Sequence, residues 1–580
     1  MAGTRTATNK WRTASDAMNL VLKVTLVAIV TTLSWPLLSS SGLPSYARGS
    51  FAGTNIAYYI SWAKEVDIYG WYTPNWCNGF DLLRFYPPIA LSAIYFLGKA
   101  FGSFEQGAYT AFYISMVLFA LSIYGFAKEV TRSRVAAFLT SLTSFTIAGY
   151  VGVMADYWEY PRILGEAVAL SALASLHRFM RLGNRGDAIK TGVLVGILAL
   201  THLIALVEFV ALAIATVAYW LWKHYTQGIE VEAFRYLIDQ LKTSVAVALA
   251  VSAWWIIPAL VPFGIGHYLR IETPIQIKLQ LIGLGATSLA PPTWAPTCQL
   301  PYILLGVVAV VILWKKKFML PVIYMVTLLG LIIVYGQGSR LIPTLGLFMI
   351  ISYTTAVTLL ERRALKYLLT AVLLTMAAFY LYTYSPGYTN GFAIDNSYIY
   401  SDEYKVSVYL SRHIEPGEAV YAMYGPRLRG NAWINVFSPQ VRQVLSCYME
   451  GCLYREVFQF DNYVKYSANY EEVLRLAKKL GVRYLWVDVK WYNGYPNNVV
   501  KKLVELGILK PVEAVNEFLS YSMLFELASE STREAVETYS TGEVKEIFLT
   551  PSRIIGFFTS VLIAIYVIKK LKTIYQAPAD

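Results

Sequence analysis

Seven ionisable residues lie where a membrane chain rarely tolerates them, at or near the outer ends of apolar segments. Asp156 and Glu159 fall in a short loop, ADYWEYPR, that also holds Arg162. Glu166 sits one turn into the apolar run that follows. His202 ends another run, Glu208 lies just inside the next, and Arg340 opens a further one in GQGSRLIP. Ionisable groups at membrane depth are costly, so they are functional candidates by default. Carboxylates can take up a proton, and a guanidinium can hold an anion through two parallel hydrogen bonds. These groups gather toward one leaflet, and the mid-plane is almost free of charge. A secondary transporter binds near the mid-plane with broken helices. An enzyme acting on a lipid headgroup needs its groups at the interface, and the distribution favours the enzyme. Each residue also has a simpler role open to it. Asp156 could cap or solvate its loop, and Glu159 could pair with Arg162 three residues on. Glu166 could face a water-filled cavity or bond a neighbouring helix. His202 could satisfy a backbone carbonyl, Glu208 could do likewise, and Arg340 could snorkel to outer headgroups.

The elements that must hold these residues follow from composition. Of 580 residues 56% are hydrophobic and only 15% charged, against roughly 25% charged in a soluble protein. Mean hydropathy is +0.46. A soluble enzyme, a disordered chain and a nucleic-acid reader are excluded, so no nucleic-acid partner is expected. The formal net charge is +12, which on such a chain points to basic loops on the cytoplasmic side. About 20 apolar residues cross a bilayer as a helix. Twelve segments qualify, near 18–39, 107–127, 134–154, 162–181, 189–203, 204–222, 243–262, 300–314, 319–336, 341–360, 366–385 and 553–569. With the N-terminus inside, every inner loop carries Lys or Arg, while the short outer loops carry only Arg162 and Arg340. Counting YPPIALSAIYFLGKAFG as a span would put the basic KEVTRSR loop outside, so 88–101 is read as a helix lying in the outer interface. The first segment resembles a signal peptide, but its apolar run is long, and it is read as an uncleaved anchor. The expected protein is a polytopic α-helical membrane protein of the plasma membrane. Both termini are cytoplasmic in this reading.

Three regions then fall outside: a first loop, 40–106; a Pro-rich middle loop, 263–299; and a soluble segment, 386–550. The expected domains are a transmembrane module over 1–385, an extracytoplasmic α/β domain over 386–550, and a final helix with a basic tail over 551–580. The α/β reading rests on a helical VLRLAKKLG before a strand-like VRYLWVDV, and on VVKKLVELG before LSYSMLFELA. All four cysteines map outside. Cys447 and Cys452 are close enough to bridge, and Cys77 with Cys298 would staple the first loop to the middle one; four free thiols are the alternative. The first loop reads GTNIAYYISWAKEVDIYGWYTPNWCNGFDLLRFYPP, with carboxylates at Glu65, Asp67 and Asp81. Its aromatic faces suit sugar rings, and they equally suit a membrane interface. His267, in the middle loop, is a further substrate-contact candidate.

The long first outer loop, the YPP leading an interfacial helix and the acid of the second outer loop resemble the GT-C superfamily of membrane glycosyltransferases. That superfamily includes oligosaccharyltransferases, protein O-mannosyltransferases and aminoarabinose transferases. The first-loop run and KKLGVRYLWVDV are most similar to a prokaryotic branch labelled 6-pyruvoyl-tetrahydropterin-synthase-related membrane proteins, although no histidine triad for pterin-type zinc is present. The resemblance implies a sugar carried on a polyprenyl phosphate in the outer leaflet and an acceptor glycan, lipid or protein. An outer carboxylate would act as general base, and a cation or a divalent metal would meet the departing phosphate. By position Asp156 matches the family's second-loop acid. Arg340, with Arg84 and Arg162, would be phosphate-binding candidates, Glu159 is a further catalytic candidate, and Glu166, His202 and Glu208 are substrate-binding candidates. The family's first-loop acid is replaced here by Asn55, an amide that cannot serve as a carboxylate base. Either Asp67 or Asp81 replaces it, or Asp156 carries the role alone, or the chain is inactive. A catalytically inactive membrane scaffold and a lipid or solute transporter are therefore the alternatives to a glycosyltransferase.

Overall fold

A computed structural model describes residues 2–47, 50–51, 55–73, 75–76, 80–82, 86–228, 230–269, 275–287, 289, 291, 297–335, 338–423, 431–444, 455–466, 469–488, 499–528 and 555–566. In chain order its principal helices are α1 (Ala2–Leu33), α2 (Ile56–Tyr69), α3 (Pro88–Phe101), α4 (Phe104–Thr131), α5 (Arg134–Ser144) and α6 (Ala148–Val151), the last continuing as a π-turn over Gly152–Asp156. There follow α7 (Tyr160–Leu182), α8 (Arg185–Ala199), α9 (Leu203–Thr226), α10 (Val231–Leu269), α11 (Ile275–Thr287), α12 (Leu300–Lys315), α13 (Leu320–Val334), α14 (Ile342–Thr358) and α15 (Arg363–Gly391).

Helix occupies each of the twelve expected segments. Among the described residues seven helices are long and apolar enough to cross a membrane; α5 and α6, bent by 61° at their break, make an eighth if taken as one span. The chain is a multi-pass membrane protein, and large apolar side chains such as Val326 and Val334 face outward on its helices. Helix α3 has the bounds expected for the interfacial helix. The middle loop is more ordered than expected. Helix α10 runs on to Leu269, and α11 occupies Ile275–Thr287.

The chain divides into two compact units. One comprises residues 1–38, 112–391 and 555–580, and the other residues 39–111 and 392–554. The first outer loop, which the sequence places in the transmembrane module, thus clusters with the late soluble segment.

In the second unit four strands form a sheet: β1 (Ala419–Met423), β2 (Val482–Asp488), β3 (Leu509–Pro511) and β4 (Ser522–Leu527), in the order β1-β2-β4-β3. β1 is parallel to β2, and the other pairings are antiparallel. The sheet is buried on both faces. Leu485 and Val487 join one apolar cluster, while Tyr484 and Trp486 join another, as a period of two demands. VLRLAKKL forms the body of a helix, Tyr470–Leu480, capped by the Asn469 side chain and ended by left-handed Gly481. It buries Val473, Leu476, Ala477 and Leu480 on one stripe. The first outer loop is tied to the late segment by hydrogen bonds. The Lys64 ammonium donates to the Val436 carbonyl at 2.7 Å, and the Asn75 amide donates to the Pro439 carbonyl at 2.6 Å.

Candidate functional site

In the first unit a polar cluster forms where the N-termini of α7, α9 and α14 meet, at the end that the charge bias assigns to the outside. Its centre is Arg162, only 3% exposed. The Arg162 Nε donates to Glu166 Oε1 at 2.9 Å, and Nη1 lies 3.8 Å from Glu159 Oε2. Its Nη2 donates to the Arg340 carbonyl. Glu166 Oε2 accepts from the Tyr150 hydroxyl at 2.5 Å, and that hydroxyl lies 3.3 Å from Thr344 Oγ1. Glu166, Glu208 and Thr344 line a void of about 10 Å³, room for about one water. Arg340 itself is exposed on the short 3-10 turn Gly338–Leu341. The structure thus brings together Glu159, Arg162, Glu166, Glu208 and Arg340 from three separate chain segments.

His202 caps α9. Its Nδ1 accepts from the Ala205 N–H at 3.3 Å, so Nε2 carries the ring proton and is left as a donor. The backbone group it satisfies is an N–H, rather than the carbonyl considered from sequence. Gly165 permits this approach, since a Cβ there would stand 2.6 Å from His202 Cβ.

Asp156 ends the π-turn, half-buried. Two residues on, Trp158 adopts a left-handed φ of 52°, an uncommon choice for a bulky residue and one that clusters at functional sites. Its indole N–H donates to the Ala155 and Gly391 carbonyls at 3.1 and 2.9 Å, and its ring stacks on Phe112. Trp158 is the wedge that fixes the Asp156–Glu159 turn. The sequence gives no sign of this, because neither φ nor a stacking partner across the fold is local information. Lys278 was likewise missed. It is buried in α11 and donates to the Tyr335 and Ile333 carbonyls at the end of α13, at 2.5 and 3.3 Å. A lone Lys in a middle loop carries no signal of its partner.

Asn55, Asp67 and Asp81 belong to the second unit, and each is described there. Asn55 precedes α2 at its N-cap, with no side-chain cap bond. Asp67 pairs with Lys99 at 2.5 Å. The backbone of Asp81 pairs with Tyr72 in a two-residue ladder. Glu65 is the deeply buried acid of this loop. It accepts from Trp76 Nε1 at 2.5 Å and from the Thr73 hydroxyl, and burial pushes its carboxyl well above the ordinary glutamate range. Arg84 lies outside the described residues, as do Cys77, Cys447 and Cys452, and so does the side chain of His267. Cys298 is a free, buried thiol in the structure, and its expected partner, Cys77, lies outside the described residues. The Cys298 sulfur fills the space over Gly346, where a Cβ would come within 2.7 Å. Among the described residues no three His, Cys, Asp or Glu side chains converge as metal ligands. Glu159 and Glu166 are turned to the Arg162 guanidinium.

No family model and no curated relative matches the chain. Solved structures do. The oligosaccharyltransferase of Archaeoglobus fulgidus, tethered to an acceptor peptide, aligns over 82% of this chain and 69% of its own, at 14% identity and TM-score 0.52. ArnT from Cupriavidus metallidurans, bound to undecaprenyl phosphate, aligns over 87% of this chain and 98% of its own, at 13% identity and TM-score 0.56. The mycobacterial arabinofuranosyltransferase AftD aligns over 88% of this chain and 40% of its own, at 13% identity and TM-score 0.56. The chain has a GT-C fold. Asp156 ends the π-turn of the bent α5–α6 pair, and the buried Arg162 follows six residues later in the first turn of α7. The same oligosaccharyltransferase has been captured with zinc and sulfate; no equivalent ligand set gathers among the described residues here.

Proposed function

We propose that the protein is a glycosyltransferase that moves a sugar from a polyprenyl-phosphate carrier to an acceptor at the outer face of the membrane. The observation that carries this reading is the clamped Arg340 turn. Buried Arg162, neutralised by Glu166, grips the Arg340 carbonyl from below and leaves the Arg340 guanidinium exposed above. Three helix N-termini meet beside it, and their dipoles favour an anion. The neutral Nε2–H of His202 adds a donor on the same side. An apolar groove of about 310 Å³ adjoins this end, lined by Leu281 and Ile282 of α11, Ile303 and Val307 of α12, Met325 of α13 and Leu345 of α14. Its size and lining suit part of an isoprenoid chain, whose phosphate would then face Arg340. ArnT was captured with undecaprenyl phosphate and the archaeal oligosaccharyltransferase with dolichol phosphate, which supports a carrier of this class.

In this reading the acceptor nucleophile attacks the anomeric carbon as its proton passes to Asp156. The new glycosidic bond forms while the anomeric C–O bond to the carrier breaks, and the bonding pair leaves on the lipid phosphate. Arg340 stabilises that charge as it develops, which is where electrostatic catalysis acts. Arg162 is a positioning residue, because its guanidinium is spent on Glu166, Glu159 and the turn.

An inactive scaffold is the second reading. It is favoured by Asn55 in place of the first-loop acid and by the pairing of Asp67 with Lys99. Lipid mass spectrometry on the protein purified under gentle extraction tests the first step. Polyprenyl phosphate that co-purifies with wild type and is reduced in Arg340→Ala supports the carrier site; no isoprenoid in either sinks the glycosyltransferase reading. Asp156→Asn then separates the two readings. It should abolish sugar transfer while retaining the lipid, whereas a scaffold would show no transfer even in wild type.

A further inference from the structure

The Arg340 turn is clamped at both ends. Arg162 holds the far end through the Arg340 carbonyl. The near end is the C-terminus of α13, where the last carbonyls of a helix lack intrahelical donors. Lys278 of α11, only 5% exposed, supplies them. Its ammonium donates to the Tyr335 carbonyl at 2.5 Å and to the Ile333 carbonyl at 3.3 Å. The Tyr335 carbonyl also accepts from the Gly338 N–H at 2.9 Å, so one oxygen joins helix, turn and Lys278. The turn then folds back so closely that a Cβ at Gly338 would collide with the Ile332 carbonyl. Helix α11 itself packs against the turn.

Capping alone is the simplest role for Lys278, since a cation suits a helix C-terminus. A solvated side chain would cap as well, without the cost of burying an ammonium. What burial adds is a fixed link between the turn and the apolar groove. Leu281 and Ile282, three and four residues on from Lys278, share its face of α11 and line that groove of about 310 Å³. Along α13 the lining passes through Met325 and Leu329 toward the C-terminus that Lys278 holds. Ile342, which lines the groove from α14, follows the turn directly. Groove, Lys278 and turn therefore meet on the same three helices.

We propose that Lys278 is a positioning residue for the carrier phosphate: from the groove wall it fixes the turn that presents the Arg340 guanidinium. This role rests on the polyprenyl-phosphate site proposed above, and it adds that headgroup recognition is set from α11. With its ammonium buried and spent on two carbonyls, Lys278 acts through Arg340 and not on the phosphate itself.

The test uses the full chain in neutral detergent, titrated with undecaprenyl phosphate or with undecaprenol and read by native mass spectrometry. The alcohol fills the groove without a phosphate, so its binding reports a folded groove, and the ratio of the two affinities reports the headgroup alone. Wild type should favour the phosphate by about 10-fold or more, the worth of hydrogen bonds to a charged group. Arg340→Ala should remove about 10-fold of that preference. Lys278→Met should remove as much while leaving undecaprenol affinity unchanged. The double variant should match Arg340→Ala, as residues acting as a unit do. Lys278→Gln, one bond shorter but still a donor, should lose about 3-fold. Equal binding of the two lipids by wild type, or a preference that survives Arg340→Ala, would sink the carrier reading itself. With wild type and Arg340→Ala as expected, three results would overturn the role of Lys278 alone. These are a wild-type preference in either Lys278 variant that still binds undecaprenol, a parallel loss of both lipids, and a double variant that binds the phosphate more weakly than Arg340→Ala.

Discussion

Arg162 makes its contacts from one buried guanidinium, and removing it strands Glu166 without a counter-ion. Breaking a buried pair from one side costs about 3–5 kcal/mol. Arg162→Ala should therefore lower the unfolding temperature sharply and cost the protein any co-purifying carrier. Arg162→Lys should rescue little, since an ammonium cannot reproduce the fork that reaches both Glu166 and the Arg340 carbonyl. A variant as stable as wild type would show that the buried pair with Glu166 does not hold this end of the bundle together. Glu403 makes a different prediction. Burial pushes its carboxyl from 4.5 up to about 7, so the folded state keeps a proton that the unfolded chain releases. Its contribution to stability is full below about pH 4 and falls as pH rises through 7. Glu403→Gln should flatten that fall and stabilise the second unit by about 3 kcal/mol at pH 8. Hydrogen exchange over 402–410, measured from pH 5 to 8, reads it, and an unchanged pH slope would refute it.

At the scale of elements the decisive piece is the turn after the π-helix. Trp158→Ala removes a stacked, doubly bonded ring and keeps the left-handed backbone, a loss of about 3–5 kcal/mol for a buried aromatic. The proposed base should be displaced with it, so transfer should fall more than carrier binding does; equal losses would assign Trp158 to stability alone. Gly165→Val should push α7 from α9 through His202 and weaken the carrier site in the same lipid assay. Much of this framework was legible in the residues. The apolar runs located the helices, the YPP run gave α3 to the residue, and VLRLAKKLG followed by VRYLWVDV gave a helix and β2. What the sequence could not carry is contact across the fold. Arg162 reaches a carbonyl 178 residues away, Lys278 caps a helix it does not belong to, and Cys298 packs over Gly346. Such partners depend on tertiary register, which no local pattern encodes.

For the molecule as a whole, the second unit combines chain segments that are far apart. Lys64 is one tie, donating to the Val436 carbonyl and pairing with Glu105 at 2.6 Å. Lys64→Met should cost about 2 kcal/mol, the usual worth of hydrogen bonds to a charged group. Hydrogen exchange should rise together over 56–69 and 431–438; a rise in only one segment would show that they are not coupled. The pairing also has a consequence for biosynthesis. Residues 39–111 emerge about 280 residues before residue 392. At the usual speed of translation that is a wait of roughly 15–60 s. Throughout it Trp62, Trp76 and Ile56, fully buried in the finished protein, are without their late partner. The nascent loop must be sheltered by the bilayer or a chaperone until the last third of the chain arrives. A ribosome stalled just before residue 392 should therefore display a protease-sensitive first loop that becomes resistant once the late segment is released.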